Sequence, residues 1–203
     1  MHKNILQEFF IHTRQALVFL AFATVLFGFL YTGIITVFAQ FFFPYQANGS
    51  LLRNENNEVI GSELIGQSFK DNKYFWGRPS STQSFSYNAA ASSASKFALN
   101  NPAFAKRFFE RLDHLKKTDP KNQHNIPLDL LTSSASGLDP HISQAAAFYQ
   151  IARIAKERKI SEAKLEEMIR KNTKRRTFGF LGEKRVNVLT LNLALDAWSG
   201  SKK

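Results

Sequence analysis

ALVFLAFATVLFGFLYTGIITVF, residues Ala16 to Phe38, is too long and too apolar for the core helix of a small domain. As a helix it spans roughly 35 Å at about 1.5 Å per residue, and the hydrocarbon core of a bilayer is roughly 30 Å thick. A helix satisfies its own backbone hydrogen bonds, so lipid can surround it. Working outward, no Asp, Glu, Lys or Arg occurs from Gln15 to Leu52, a run of 38 residues. Only Lys3, Arg14 and Glu8 carry charge before it. The remainder holds 25 basic and 15 acidic residues, a net +10. The alternative is a cleaved signal peptide, for which Val37-Phe38-Ala39 offers a small-residue site. The stretch is far longer than the ~7–15 residues of a signal core, so the sequence predicts an uncleaved anchor. Gly28 and Gly33 lie inside it, where glycine lets a neighbouring helix approach closely. They are five residues apart, which departs from the four-residue small-residue motif. Tyr31 and Phe41 to Tyr45 read as an aromatic belt at one interface.

Lys3 and Arg14 flank one end of the anchor, and no basic residue follows it until Arg53. Basic residues near helix ends stay inside, so the expected topology is N-terminus cytoplasmic and C-terminal domain extracytoplasmic. The expected location is the cell (inner) membrane. The expected organisation is a leader over 1–15, a membrane helix with its interfacial end over 16–43, and a soluble domain over 44–203.

That domain reads as mixed α+β. Pro44 ends the apolar helix, and Gln46 to Ser50 is a turn signal and a short tether. Short strands are predicted within Leu51 to Phe69, around an Asn54–Asn57 turn, with Gly61 and Gly66 as bends or bulges. Asp71 to Ser95 is loop-rich and aromatic. Asn101 and Pro102 open a helix whose Phe104, Phe108, Leu112 and Leu115 recur at helical spacing. A short helix is expected around Pro127 to Leu131. Asp139 and Pro140 are expected to start another, with Ile142, Ala146, Ile151, Ile154 and Ala155 on one face. Ser161 caps a further helix with Leu165, Met168 and Ile169 inward. Lys171 to Arg176 is a basic connector, and Phe178 to Val186 is expected to be extended. Asn187 to Trp198 reads as a helix, although its alternating leucines also fit a strand.

The chain has no cysteine, which excludes disulfides and thiolate metal sites. The five histidines are scattered and form no zinc-protease motif. Neither a P-loop nor a glycine-rich dinucleotide fingerprint occurs. Ser93-Ala94-Ser95-Lys96 matches the S-x-x-K pattern of penicillin-binding enzymes, but the accompanying Ser-Asp-Asn and Lys-Thr-Gly motifs are missing. A membrane-anchored enzyme using Ser93 and Lys96, or an anchored binding protein, stands as the alternative function. The positive charge fits anionic lipid or an acidic partner subunit better than nucleic acid, which an outer domain would rarely meet.

Six segments in order resemble the C subunit of the Kdp-type potassium-transporting ATPase. They are FPYQANGSL from Phe43, GSELIGQSF from Gly61, YFWGRPS from Tyr74, SSASGLDP from Ser133, QIARIAK from Gln150 and RVNVLTLNLALD from Arg185. The chain departs from that family's pattern at Lys96 and Phe97, where Asn-Leu is common, and at Lys184, where Pro is common. The resemblance implies a non-catalytic accessory subunit with no metal site. Its partners would be a channel-like potassium-binding subunit, a P-type ATPase subunit and a small membrane peptide. Potassium would be the transported ion, and ATP would act through the ATPase subunit, whose affinity for it this subunit raises. Ser136, Gly137 and Gln150 are the residues the resemblance offers for a nucleotide contact; turn formation and helix packing are the competing reading. Gly28 and Gly33 are assigned to helix contact. Tyr74, Phe75, Trp76 and Arg78 are assigned to partner contact over the outer mouth of the channel-like subunit, or else to the domain's own core.

Overall fold

The computed structural model describes residues 2–54 and 56–200, and its chain divides into two compact units meeting at Ser50 and Leu51. Glu55, within the expected Asn54–Asn57 turn, and residues 201–203 of the expected domain lie outside the described residues, as does Met1 of the leader. The first unit is helical: α1 (His2–Ala23), a π-helical stretch (Thr24–Tyr31), α2 (Thr32–Phe42) and α3 (Pro44–Ala47). Apolar side chains line it and none is buried within the protein, over a span from Leu6 to Phe42 that is long enough to cross a membrane. The helical path therefore reaches back through the charged leader. At the π-helical stretch, the Thr32 hydroxyl donates to the Gly28 carbonyl. Thr36 donates likewise to Thr32 at 2.8 Å. π-Turns inside helices are rare and concentrate at functional sites.

The second unit is mixed α+β, as its patterning leads one to expect. β1 (Leu51–Arg53) and β2 (Val59–Ser62) form an antiparallel hairpin, with a bulge between Leu52 and Arg53. Helix α4 (Pro102–Thr118) starts where Asn101 accepts from the Ala103 N–H. Its last turn carries Lys116 and Lys117, which suit the negative end of the helix dipole. A 3₁₀ turn over Leu128–Leu130 leads into β3 (His141–Ser143). Then come α5 (Gln144–Tyr149), α6 (Ile151–Arg158), α7 (Glu162–Lys171), β4 (Thr173–Lys174), β5 (Arg185–Asn187) and α8 (Val188–Gly200). The second sheet is antiparallel in the order β3-β5-β4, with Ile142 opposite Val186. Its apolar side meets the helices. Phe75, Ile142, Ile154, Leu165, Ile169, Val186, Leu191 and Leu195 form the centre of the core.

Two local expectations need correction. Asp139 and Pro140 do not begin a helix. Pairing with β5 holds residues 141–143 extended, and the helix starts afterwards, with Ser143 Oγ accepting from the Ala146 N–H at 3.0 Å. Asp139 instead accepts from the His141 N–H at 3.0 Å, a local turn. Phe178 to Val186 is extended only from Arg185, because residues 177–182 close into a tight loop. The leucine-rich C-terminal segment is helical. Its Leu189, Leu191 and Leu195 are all buried, so burial on more than one side explains the alternating pattern.

Candidate partner-contact site and its supports

The loop from Asp71 to Ser80 carries four of the residues assigned to partner contact, and the core grips it by its backbone. Helix α8 presents Asn192, 1% exposed, whose side-chain amide accepts from the Phe75 N–H and donates to the Phe75 carbonyl, both at 2.9 Å. The α5–α6 junction presents Gln150, 2% exposed, which does the same to Trp76 at 2.8 and 3.1 Å. Each amide replaces a missing strand neighbour for one residue of an irregular segment. Buried backbone groups require such partners.

Phe75 is completely buried. Trp76 is half-buried between two cationic or polar planes. The Arg153 guanidinium lies 4.0 Å from its ring centre on one contact, and the His114 ring stacks at 5.4 Å on another. Its indole N–H donates to the Asp71 carbonyl at 3.0 Å. Arg153 donates to the carbonyls of Asn72 and Tyr74 and to Gln150 Oε1. Burial pushes its pKa down to about 10, which leaves it charged at neutral pH. Tyr74 donates to Asp196 at 3.0 Å, and Arg158 binds the same carboxylate at 2.6 Å. A groove of about 480 Å³ opens beside Trp76, with Phe69, Gly77, Arg111 and His114 on its walls.

Arg78 pairs with Asp139 at 3.1 Å and reaches the Ser133 carbonyl. Burial opposes the Asp139 charge, but bonds from His141 and Arg78 outweigh it and hold the carboxyl below its usual range. Tyr87 donates to the Arg78 carbonyl at 2.6 Å, and burial together with Asp139 pushes its phenol up to about 12. Asp139→Asn is expected to cost roughly 1–3 kcal/mol, the scale of a hydrogen bond to a charged group. A carboxyl depressed in the folded state stabilises above its unfolded pKa of about 3.9 and loses that contribution as pH falls through the lower folded value. Between pH 5 and pH 2 the melting temperature should therefore fall less in the variant than in the wild type.

Ser136 and Gly137 lie together on a different loop from Gln150's position in the core. Ser136 is exposed; Gly137 is buried with φ at +69°, and a Cβ there would meet the Ser93 carbonyl at 2.7 Å. The Gly137 N–H donates to Ser134 Oγ and the Leu138 N–H to Ser136 Oγ, so these donors are engaged within the turn. Ser93 Oγ donates to the Ala94 carbonyl at 3.2 Å, and Lys96 is exposed with φ at 56°. No hydrogen bond joins the two among the described residues. Gly33 has nothing within 4 Å of its Cβ position and lies in a helix-face groove with Phe29, Val37 and Phe41. A Cβ at Gly28 would meet only Thr24 Cγ2, at 3.7 Å. Sequence patterning singled out the aromatic loop but missed Asn192, Gln150's clamping role and Arg153. Their polar type inside apolar helix faces was the available signal.

One apolar helix of membrane-spanning length followed by an α+β domain is the architecture of a single-pass membrane protein. The chain belongs to the K+-transporting ATPase c chain family, whose pattern it matches over residues 13–197. It is 50% identical over 186 residues to a potassium-transporting ATPase KdpC subunit of Methylococcus capsulatus, covering 92% of this chain and 97% of that one. The corresponding subunit of Herpetosiphon aurantiacus is 50% identical, over 90% of this chain and 94% of its own. That of Sorangium cellulosum is 48% identical, over 91% and 97%.

Proposed function

We propose that this chain is the non-catalytic accessory subunit of an ATP-driven potassium uptake pump. The observation that carries the reading is the extent of the family match, which includes both the apolar helix and the last helix of the domain. In this reading its partners are a channel-like potassium-binding subunit, a P-type ATPase subunit and a small membrane peptide. Potassium is cargo. ATP acts through the ATPase subunit in this reading, and the Gly137 and Leu138 N–H groups bond within their own turn. Lys3 and Arg14 support a cytoplasmic N-terminus and an outer domain in the inner membrane. An outer domain then influences ATP affinity through a coupling free energy between sites.

The test is purification in mild detergent of the tagged chain co-expressed with its three partners. Co-elution with potassium-stimulated ATP hydrolysis is expected. Elution of the chain alone would overturn the reading. A second result bears on the anchor. Gly33→Leu fills an open helix-face groove, and recovery of the partner subunits should fall severalfold. Unchanged recovery with both Gly28→Leu and Gly33→Leu would assign these glycines to lipid.

A further inference from the structure

Between β4 and β5 the chain leaves the sheet as a short finger, and every residue from 174 to 184 is exposed. Its tip is closed by a reciprocal pair: the Thr177 N–H donates to the Leu181 carbonyl and the Leu181 N–H to the Thr177 carbonyl, both at 2.9 Å. Phe178 and Gly179 turn the chain with φ of 53° and 84°. An aromatic residue in the left-handed region is uncommon. The outcome is an apolar tip in solvent, with Phe178 84% exposed, Phe180 69% and Leu181 50%. Folding gains little from side chains left in water, so the tip calls for a partner outside the domain.

Charge surrounds the tip. Residues 174–185 hold Lys174, Arg175, Arg176, Lys184 and Arg185 against the single acid Glu183, a net +4. Arg176 braces the two arms through Glu183, at 2.7 and 2.8 Å. Arg175 and Lys184 are exposed. The finger's root has a defined place within the domain. Lys174 pairs with Glu63 at 3.2 Å, and the Asn187 amide donates to the Glu63 carbonyl at 2.8 Å. Glu63 follows β2 directly, and the last β2 residue, Ser62, pairs with Leu51, the first residue of β1. The finger thus roots at the strand end where the chain enters the domain. From Phe43 to Leu51 that chain reaches at most about 28 Å, even fully extended.

We propose that this finger is a membrane-surface contact, in which the Phe178–Leu181 tip enters the headgroup region and the basic collar binds the phosphates of anionic lipid. Aromatic and aliphatic groups beside Lys and Arg are the composition of interfacial anchors. A cationic segment held close to an anionic surface is drawn to it within about a Debye length. Three apolar side chains are far short of the ~800 Å² per partner of a stable protein interface. They suffice for a second, weak contact on a chain that a helix already confines to the membrane, where effective concentration is high. The inference does not depend on which side of the membrane the domain occupies, nor on assembly into a pump.

The natural chain has no cysteine, so Leu181→Cys gives a unique site for a nitroxide label in the full chain. Glu157→Cys on α6 serves as the control. The labelled chains are reconstituted into phosphatidylcholine vesicles with and without phosphatidylglycerol. Collision with oxygen is then compared with collision with a water-soluble nickel chelate. The Leu181 label is expected to shift severalfold toward oxygen in the phosphatidylglycerol vesicles, the Glu157 label to stay aqueous, and Arg175→Glu with Lys184→Glu to remove most of the shift. A Leu181 label as aqueous in those vesicles as in detergent overturns the proposal. An equal shift in phosphatidylcholine alone overturns the anionic-lipid assignment. A label shielded only when the partner subunits are added overturns it in favour of protein docking.

Discussion

Gln150→Leu is expected to destabilise the domain by roughly 3–5 kcal/mol, although the side chains are similar in volume. The amide makes four bonds: from the Trp76 N–H and Arg153 Nη2 to its oxygen, and from its nitrogen to the Trp76 and Ala146 carbonyls. Leucine satisfies none of them. The Ala146 carbonyl, near the end of α5, loses the Gln150 Nε2 donor as well, since the Gln150 N–H bonds to Ala147. The Trp76 N–H and carbonyl lose partners in a water-poor site, at about 1–3 kcal/mol each. Arg153 also loses an acceptor while remaining charged, with only the Asn72 and Tyr74 carbonyls left to it. In a domain of this size each kcal/mol lowers the melting temperature by about 2–4 °C, so a fall of roughly 10 °C is expected in detergent-solubilised protein. Asn192→Leu should act alike, because it releases Phe75 from the same loop. The double variant should cost clearly less than the sum of the two, since one detached loop cannot be detached again. Strict additivity would show that the two amides hold independent structures.

The elements that were legible in the sequence are those carried by local physics. The anchor announces itself by length and absence of charge. Asn101-Pro102 marks a true helix start through a short-range cap, and Ser161 also stands at a true start, although its side chain makes no capping bond there. Asp139-Pro140 carries a similar signal and opens no helix. The difference is the strand partner at residues 185–187, which is more than forty residues away in the chain and leaves no local trace. The aromatic loop was visible as a cluster, but its role was not. Whether Phe75 faces inward depends on Asn192, 117 residues later. The nucleotide assignment gathered Ser136, Gly137 and Gln150 from separate motifs. Sequence order could not reveal that the Gln150 amide bonds the Trp76 backbone, 74 residues earlier.

Trp76→Ala is expected to lower stability by roughly 3–5 kcal/mol, the usual range for truncating a large packed aromatic. The ring is packed against the core, faces the Arg153 guanidinium at 4.0 Å and stacks on His114. Its N–H holds the Asp71 carbonyl at 3.0 Å. Alanine would leave a void that merges with the neighbouring 480 Å³ groove, so water can enter and soften the loss. Trp76→Phe keeps most of the packing and a weaker cation–π face, and should cost about half as much. These values describe a structural residue. A contact role adds a separate requirement, because the groove edge beside Trp76 also includes Arg111. If that edge meets the potassium-binding subunit, Trp76→Phe should reduce recovery of the assembled pump more than its own stability loss accounts for. The comparison needs a second core variant of matched stability that does not line the groove, such as Ile169→Val in α7. Equal recovery for the two at equal melting temperature would make Trp76 a support of the loop and nothing more. Poorer recovery for Trp76→Phe alone would place the partner at the groove.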